Sequence, residues 1–341
     1  MKCPECDADL NIPEDAAVGE IVSCNDCGAD YEISKKDGST IEIKEAETVG
    51  EDWGEYLSKV CIVFDRLRTE EKMLQKEATE LGHETSLIDA KITQINTSSR
   101  IQDFDFGNIV LERCVSYYRG LYITACLEFL DVPVINEFNV STICGNKLLT
   151  SMLLKKNNIP TPKTYFSFSA DAARENLDKI GYPMVIKPVT GSWGRNVIPL
   201  KDKDTADAII EQREITDGPL DRIFYLQEMV NRPPRDIRVI TIGDKAVTAM
   251  YRKSLGDFKT NIALGAEPEI CNITNEIEDL CAKASKAVGG GILGVDLMED
   301  KEKGLVVHEV NNTVEFKGLV KVANINIPKE MIEFALNSIR K

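Results

Sequence analysis

The sequence predicts an α/β protein whose front is a separate, small β-rich module, and three observations carry that expectation. Two Cys-x-x-Cys pairs lie within the first 27 residues, strand and helix patterns alternate from Lys59 onward, and the charge changes character between these two regions. A chain of 341 residues also exceeds what one hydrophobic core usually holds, so two or three domains are expected.

The net charge is −15, and residues 1–55 account for −12 of it, with 4 Lys, no Arg and 16 acidic residues. No basic block is present to neutralise phosphates, which argues against nucleic-acid binding. An acidic module instead suits a basic protein surface. The start, Met1-Lys-Cys-Pro-Glu-Cys6, has no apolar core of a signal peptide, and no run reaches the roughly 18 apolar residues of a membrane span. A cytoplasmic protein without membrane contact is expected.

Cys3 and Cys6, then Cys24 and Cys27, have the spacing of a zinc ribbon, in which two tight turns present four thiolates to one Zn²⁺. The competing reading, a redox pair, normally appears once and beside a βαβ pattern. So small a module has little core of its own, which makes the metal a structural requirement. Ile21-Val22, Tyr31, Ile33, Ile41 and Ile43 supply short strands, with Asp37-Gly38 as a hairpin turn. Cys61, Cys114, Cys126, Cys144, Cys271 and Cys281 are scattered among apolar neighbours and read as buried thiols.

From Lys59 the pattern becomes strand then helix. Val60 to Phe64 is an apolar run, Thr69 is the expected N-cap of a helix over Lys72 to Leu81, and Gly82 takes its C′ position. A strand at Ile109 to Leu111, a helix from about Tyr117 to Leu130 and a strand at Val132 to Ile135 complete an open α/β domain. Asn146-Lys147 opens a further helix over Leu148 to Asn157, stopped by Pro160 and Pro162.

Strand Met184 to Lys187 leads into Gly191-Ser192-Trp193-Gly194-Arg195, whose small residues let backbone amides approach phosphate oxygens. An ordinary turn is the competing reading. Strands at Phe224 to Val230 and Arg235 to Ile242 follow, the second placing Asp236 and Arg238 on one face. A helix over Ala282 to Val288 ends at Gly289. Strands Ile292 to Leu297 and Leu305 to Asn311 then form a hairpin around the charged segment Glu299 to Lys303.

On that hairpin, Glu309 and Asn311 share a face that Asp296 reaches from the paired strand. Three hard oxygen donors there suit a Mg²⁺ also held by nucleotide phosphates, whereas a solvated acidic face is the bland alternative. His308 alternates with Glu309 and is expected on the opposite side. With only His83 and His308 in the chain, histidine triads have no support, and Ser192 and Ser254 lack a neighbouring base.

Lys147, Lys187 in Val-Ile-Lys-Pro, the Gly191 to Arg195 loop, Gln227-Glu228, Asp236-Ile-Arg238, Asp296 and Glu309-Val-Asn311 occur in one order. In that order they resemble the ATP-grasp carboxylate–amine ligases, over nearly all of Lys59 to Lys341. Asp65-Arg66-Leu-Arg-Thr-Glu-Glu71-Lys72, Gly-Ser-Trp-Gly-Arg and Asn311-Asn-Thr-Val-Glu315-Phe-Lys317 look specifically like the LysX/ArgX ligases, which attach 2-aminoadipate or glutamate to a carrier protein. The first 55 residues resemble that carrier, LysW, a small acidic zinc protein ending in Glu-Asp-Trp-Gly-Glu; Glu51 to Glu55 match that ending.

The resemblance implies an α/β (α+β) ATP-grasp ligase with an N-terminal α/β pre-ATP-grasp domain, preceded by a small β zinc ribbon. The expected layout is a carrier domain at 1–50, an acceptor stretch and linker at 51–58, the N-terminal α/β domain at 59–140 and the ATP-grasp domain at 141–341. ATP, Mg²⁺ and Zn²⁺ are the implied cofactors. Lys147, Lys187, Gly191, Ser192, Gly194 and Asp236 are implied at the nucleotide, with Glu228 and Val230 at the adenine hinge. Asp296, Glu309 and Asn311 hold Mg²⁺, and Cys3, Cys6, Cys24 and Cys27 hold Zn²⁺.

Glu55 is the implied acceptor, converted to an acyl phosphate that an amine attacks. Arg238 and Arg252 are candidates to clamp the acyl phosphate or the amino acid's carboxylates. A surface ion pair competes with that role, more strongly for Arg252. Ser254 to Ala266 and the neighbourhood of Thr313 to Lys317 are expected to shape the amino-acid pocket, and one methylene separates the two substrates.

Only Tyr56, Leu57 and Ser58 separate Glu55 from the first strand, a tether of about 15 Å. The carrier is therefore expected to be served in trans, in a homo-oligomer or by a separate molecule, before downstream biosynthetic enzymes act on it. Two other readings compete: a RimK-like ligase adding glutamate to another protein's C-terminus, and a non-catalytic nucleotide-binding module bearing a zinc ribbon.

Overall fold

A computed structural model describes residues 1–13, 16–37, 40–45, 57–98, 104–191, 194–216, 218–254 and 267–340. The chain divides into two compact units, Met1–Tyr56 and Leu57–Lys341. Glu51 to Glu55, Ser192, Trp193 and residues 255–266 lie outside the described residues.

The first unit is a three-stranded antiparallel sheet of β1 (Ile21–Ser23), β2 (Asp30–Asp37) and β3 (Thr40–Glu45), in that order. Asp37, expected in the turn, is instead the last residue of β2 and pairs with Thr40, while Gly38 lies outside the described residues. Its core is small: Leu10 and Tyr31 pack with Cys3 and Cys24, and Ala16, Val22 and Ile33 form a second cluster. Burial of that size cannot offset the ordering entropy of the module, so the cysteine cluster must supply the difference.

The second unit opens with a parallel sheet ordered β5-β4-β6-β7 (Glu84–Asp89, Lys59–Phe64, Ile109–Glu112, Val134–Ile135). Helices α1 (Thr69–Glu80) and α2 (Tyr117–Phe129) connect these strands. Helix α1 begins at Thr69 rather than Lys72, and its N-cap is Arg68 rather than Thr69. Glu71 explains the difference: its carboxylate reaches back to the Arg68 N–H at 2.8 Å and pairs with the Arg68 guanidinium, which holds Arg68 at the N-cap position.

Helices α3 (Phe138–Cys144) and α4 (Lys147–Lys156) lead on to a four-stranded antiparallel sheet. Its order is β10-β9-β11-β8 (Ile198–Leu200, Met184–Lys187, Phe224–Glu228, Thr164–Ser167), and it is backed by α5 (Ala170–Ile180) and α6 (Lys203–Glu214). A five-stranded antiparallel sheet follows, ordered β14-β13-β12-β15-β16 (Glu267–Cys271, Lys245–Lys253, Arg235–Ile242, Ile292–Asp300, Gly304–Asn311).

Helix α7 (Asn275–Val288) covers one face of this sheet and α8 (Ile327–Ser338) packs in the core on the other. Helix α7 starts seven residues before the expected Ala282, because Thr274 caps it through the Ile277 N–H and Ile277 and Leu280 extend its buried stripe. The sequence reading did not identify β5, β8, β10, β13, β14, α3, α5, α6 or α8. Buried Asn136 binds the parallel sheet to the five-stranded one, donating to the Ile292 and Asn312 carbonyls at 2.7 and 2.5 Å and accepting from the Ile292 N–H.

Candidate active site

A cavity in the second unit is walled by the end of β6, the start of α4, strands β9, β11, β12 and β13, and the hairpin of β15 and β16. Lys147, Lys187, Gly191, Gly194, Glu228, Val230, Asp236, Arg238, Arg252, Asp296, Glu309 and Asn311 all line it. Glu55 and Ser192 lie outside the described residues.

The strand register dictates the charges at its floor. Asp236 on β12 stands opposite Arg252 on β13, and Arg238 stands opposite Asp296 on β15. Arg252 grips Asp236 through two contacts of 2.7 Å and reaches Asp296 at 3.1 Å, while Arg238 forks onto Asp296, with Nη2 to Oδ2 at 2.9 Å. The four groups form an alternating chain, Asp236–Arg252–Asp296–Arg238, beneath the cavity. Arg252 is therefore not a surface pair: it is 5 % exposed, because β12 and β14 flank its strand on both sides. Burial disfavours its charge, yet the two carboxylates hold its pKa above the ordinary guanidinium value.

Burial likewise works against ionised Asp296 and Glu309, but neighbouring cations win. Arg238 and Arg252 hold Asp296 below the usual carboxylate range, and Lys147 and Lys187 do so for Glu309. Lys147, the first residue of α4, places Nζ 2.9 Å from Glu309 and 2.6 Å from the Gly191 carbonyl, tying the helix start to the loop after β9. Lys187 is 5 % exposed, and burial pulls its ammonium down to about 7 while Glu309 opposes the drop. It donates to Gln227 Oε1 at 2.5 Å, and Gln227 in turn donates to the Tyr225 hydroxyl at 2.8 Å.

His308 corrects the sequence reading. It lines the cavity with Nδ1 3.3 Å from Lys187 Nζ instead of facing away. The reason is a β-bulge: Asp296 pairs with Glu309 but Leu297 pairs with Val307, so His308 is the extra residue and strict alternation fails there. Burial and Lys187 keep its ring neutral, with a pKa well below the ordinary value. Alternation from Asp296 does point to Met298, which lines the cavity and was passed over. Arg232, also in the wall, sits in a loop and carries no periodic signal.

The donor chemistry suits Mg²⁺: two ionised carboxylates and an amide oxygen from adjacent strands, with Asp296 opposite Glu309 and Gly294 opposite Asn311. In the first unit the Sγ atoms of Cys3 and Cys27, and of Cys6 and Cys24, are each 3.6 Å apart, and all four lie within 4.8 Å of one another. Tetrahedral Zn–S bonds set sulfurs about 3.8 Å apart, so the cluster fits Zn²⁺. The Tyr31 hydroxyl, 3.4 Å from Cys3 Sγ, supports the thiolate from the second shell of contacts.

Three family models match successive parts of this chain. Residues 144–335 match the RimK-like ATP-grasp domain, residues 60–143 the LysX preATP-grasp domain, and residues 1–47 the globular domain of the alpha-aminoadipate carrier protein LysW-like family. The chain is an ATP-grasp carboxylate–amine ligase carrying a LysW-like zinc-ribbon domain.

Within that class it belongs to the LysX/ArgX family of LysW ligases. It is 38 % identical over 274 residues to the alpha-aminoadipate–LysW ligase LysX of Saccharolobus solfataricus, covering 80 % of this chain and 99 % of that one. To the glutamate–LysW ligase ArgX of Sulfolobus acidocaldarius it is 31 % identical over 282 residues, 82 % and 99 % of the two chains. The RimK-domain ATP-grasp protein of Sphaerobacter thermophilus shares the fold, with a TM-score of 0.67 at 23 % identity over 82 % of this chain and 99 % of that one.

Proposed function

We propose that the chain is both ligase and carrier: it joins the α-amino group of 2-aminoadipate to the γ-carboxylate of Glu55 at the expense of ATP. The carrier-like ribbon on the same polypeptide as the ligase is the observation that carries this reading. The greater identity to the aminoadipate ligase, 38 % against 31 % for the glutamate ligase, favours the longer amino acid.

Oxide is a poor leaving group, so Glu55 must first take the γ-phosphoryl group and become an acyl phosphate. Lys147, Lys187 and the Gly191 to Gly194 loop hold the phosphates, and Glu228 to Val230 border the adenine. Mg²⁺ at Asp296, Glu309 and Asn311 would supply charge neutralisation on the phosphoryl oxygens. Arg238 and Arg252 keep Asp296 ionised and face the acyl phosphate, where positioned charge does most of the catalysis. A reducing, cytoplasmic setting accords with ten free cysteines.

Glu55 is served in trans. Ser58, 8 % exposed, fixes the chain at the amino end of β4, whereas the cavity lies past its carboxyl end. Six strand residues span about 20 Å, and the three bonds back to Glu55 cannot make up that distance. A neighbouring copy in a homo-oligomer, or a separate molecule, then presents the acceptor.

Amino-acid-dependent ADP release tests the reaction, and intact-mass mapping tests the acceptor. The expected outcome is one aminoadipyl group on Glu55. ADP release without any addition overturns the ligase assignment to this substrate pair, and addition to another protein's C-terminus overturns the carrier role.

A further inference from the structure

The amine that attacks an acyl phosphate arrives as an ammonium, and it must lose a proton before its lone pair is available. Strand β6 ends on Glu112, a carboxylate only 5 % exposed that nevertheless lines the cavity. Its Oε1 accepts the Cys114 N–H at 2.5 Å, and its Oε2 takes a longer bond of 3.4 Å from the Thr313 hydroxyl.

Helix α2 is shaped around this group. A Cβ on Gly120 would lie 2.6 Å from Glu112 Oε1, so a glycine leaves the carboxylate its place. Among the described residues no lysine or arginine pairs with Glu112; the adjacent Arg113 is engaged with Glu71. Burial pushes the carboxyl up, and Arg113 and the Cys114 bond only partly offset it. A buried carboxylate without a cation is costly to keep, unless a ligand brings the cation.

Tyr117, Asn312, Thr313 and Glu315 line the same cavity, and the Thr313 hydroxyl is the one that reaches Glu112. Thr313 and Glu315 belong to the stretch Thr313 to Lys317, whose neighbourhood the sequence assigns to the amino-acid pocket. We propose that Glu112 binds the ammonium of the incoming amino acid and accepts its proton, making it a catalytic residue of the amide-forming step; this rests on the amine-ligase reading above.

The balance is complete. The ammonium gives one proton to the Glu112 carboxylate; the neutral nitrogen forms the C–N bond to the acyl carbon as the C–O bond to phosphate breaks. The second proton leaves with the phosphate, and Glu112 returns its own to solvent as product departs.

Glu112→Gln in the full chain keeps an acceptor for the Cys114 N–H but removes the base. The expected result is a fall in kcat/KM for 2-aminoadipate of about 10²–10⁴-fold, the range that removal of a general base gives. Hydroxylamine, which is already neutral at pH 7, should still trap the acyl phosphate within about twofold of the wild-type rate, since that step precedes the proton transfer. Glu112→Asp should recover part of the amino-acid loss.

An amino-acid kcat/KM within about threefold of wild type in Glu112→Gln overturns the assignment. Equal loss of both reactions in Gln and Asp variants, with a lowered Tm, also overturns it and leaves Glu112 a folding role. If the wild-type chain itself forms no hydroxamate, the ligase reading falls, and this assignment with it.

Discussion

Among single residues, Lys187 has the most readable consequence. Its ammonium titrates near 7 when the pocket is empty of phosphates, because burial removes its hydration. Nucleotide phosphates restore the charge, so above pH 7 binding must take up a proton. Affinity for ADP is therefore expected to fall by about tenfold per unit as pH rises from 7 toward 9, and to lose that slope in Lys187→Arg. Isothermal titration in buffers of different ionisation enthalpy measures the proton directly.

Two arginines on neighbouring β12 and β13 give a second residue-scale comparison. Arg252→Ala strands Asp236 and Asp296 without their shared partner and should cost about 3–5 kcal/mol in urea unfolding. Arg235→Ala breaks a half-exposed pair with Glu299 and should cost less than about 1 kcal/mol. Equal losses would refute the buried-chain account of the cavity floor.

At the scale of elements, β15 works because it carries a glycine opposite Asn311. A Cβ on Gly294 would lie 2.8 Å from Val314 Cγ2 and 3.1 Å from Arg238 Nη1. Gly294→Ala is thus expected to destabilise the chain by about 1–3 kcal/mol and to raise KM for the amino acid, since Arg238 lines the pocket. Unchanged melting and unchanged KM would show that the loop after β16 yields freely. The bulge at His308 belongs to the same hairpin, and it is why alternation located Glu309 and Asn311 yet misplaced the residue between Val307 and Glu309. Strands announced by apolar runs, such as β4 and β12, were legible in sequence; β8 and β10, only four and three residues long, were not.

For the whole molecule, the two units differ in what stabilises them. The first has a core of a few side chains around Cys3 and Cys24, whereas the second has three extended clusters around its sheets and a fourth on the outer face of the parallel one. A strong chelator should therefore unfold the ribbon while the main thermal transition of the ligase stays in place, read as stepwise loss in calorimetry with zinc release. Trans transfer is tested by mixing a Glu55→Gln chain with a Lys187→Ala chain: modified product is expected on the second chain only. Absence of product from the mixture would refute the trans account.

The sequence by itself determined the ribbon, whose cysteine spacing carries its chemistry, and it supplied, through a family resemblance, the residues proposed here to bind phosphates and metal and the proposed acceptor Glu55. Tertiary structure alone decided that Arg252 is buried between two aspartates, that His308 meets Lys187, and that Glu112 lies in the cavity wall with no lysine or arginine paired to it among the described residues. Those facts depend on strand register and a bulge, and register is set by how whole sheets pack rather than by any neighbour in sequence.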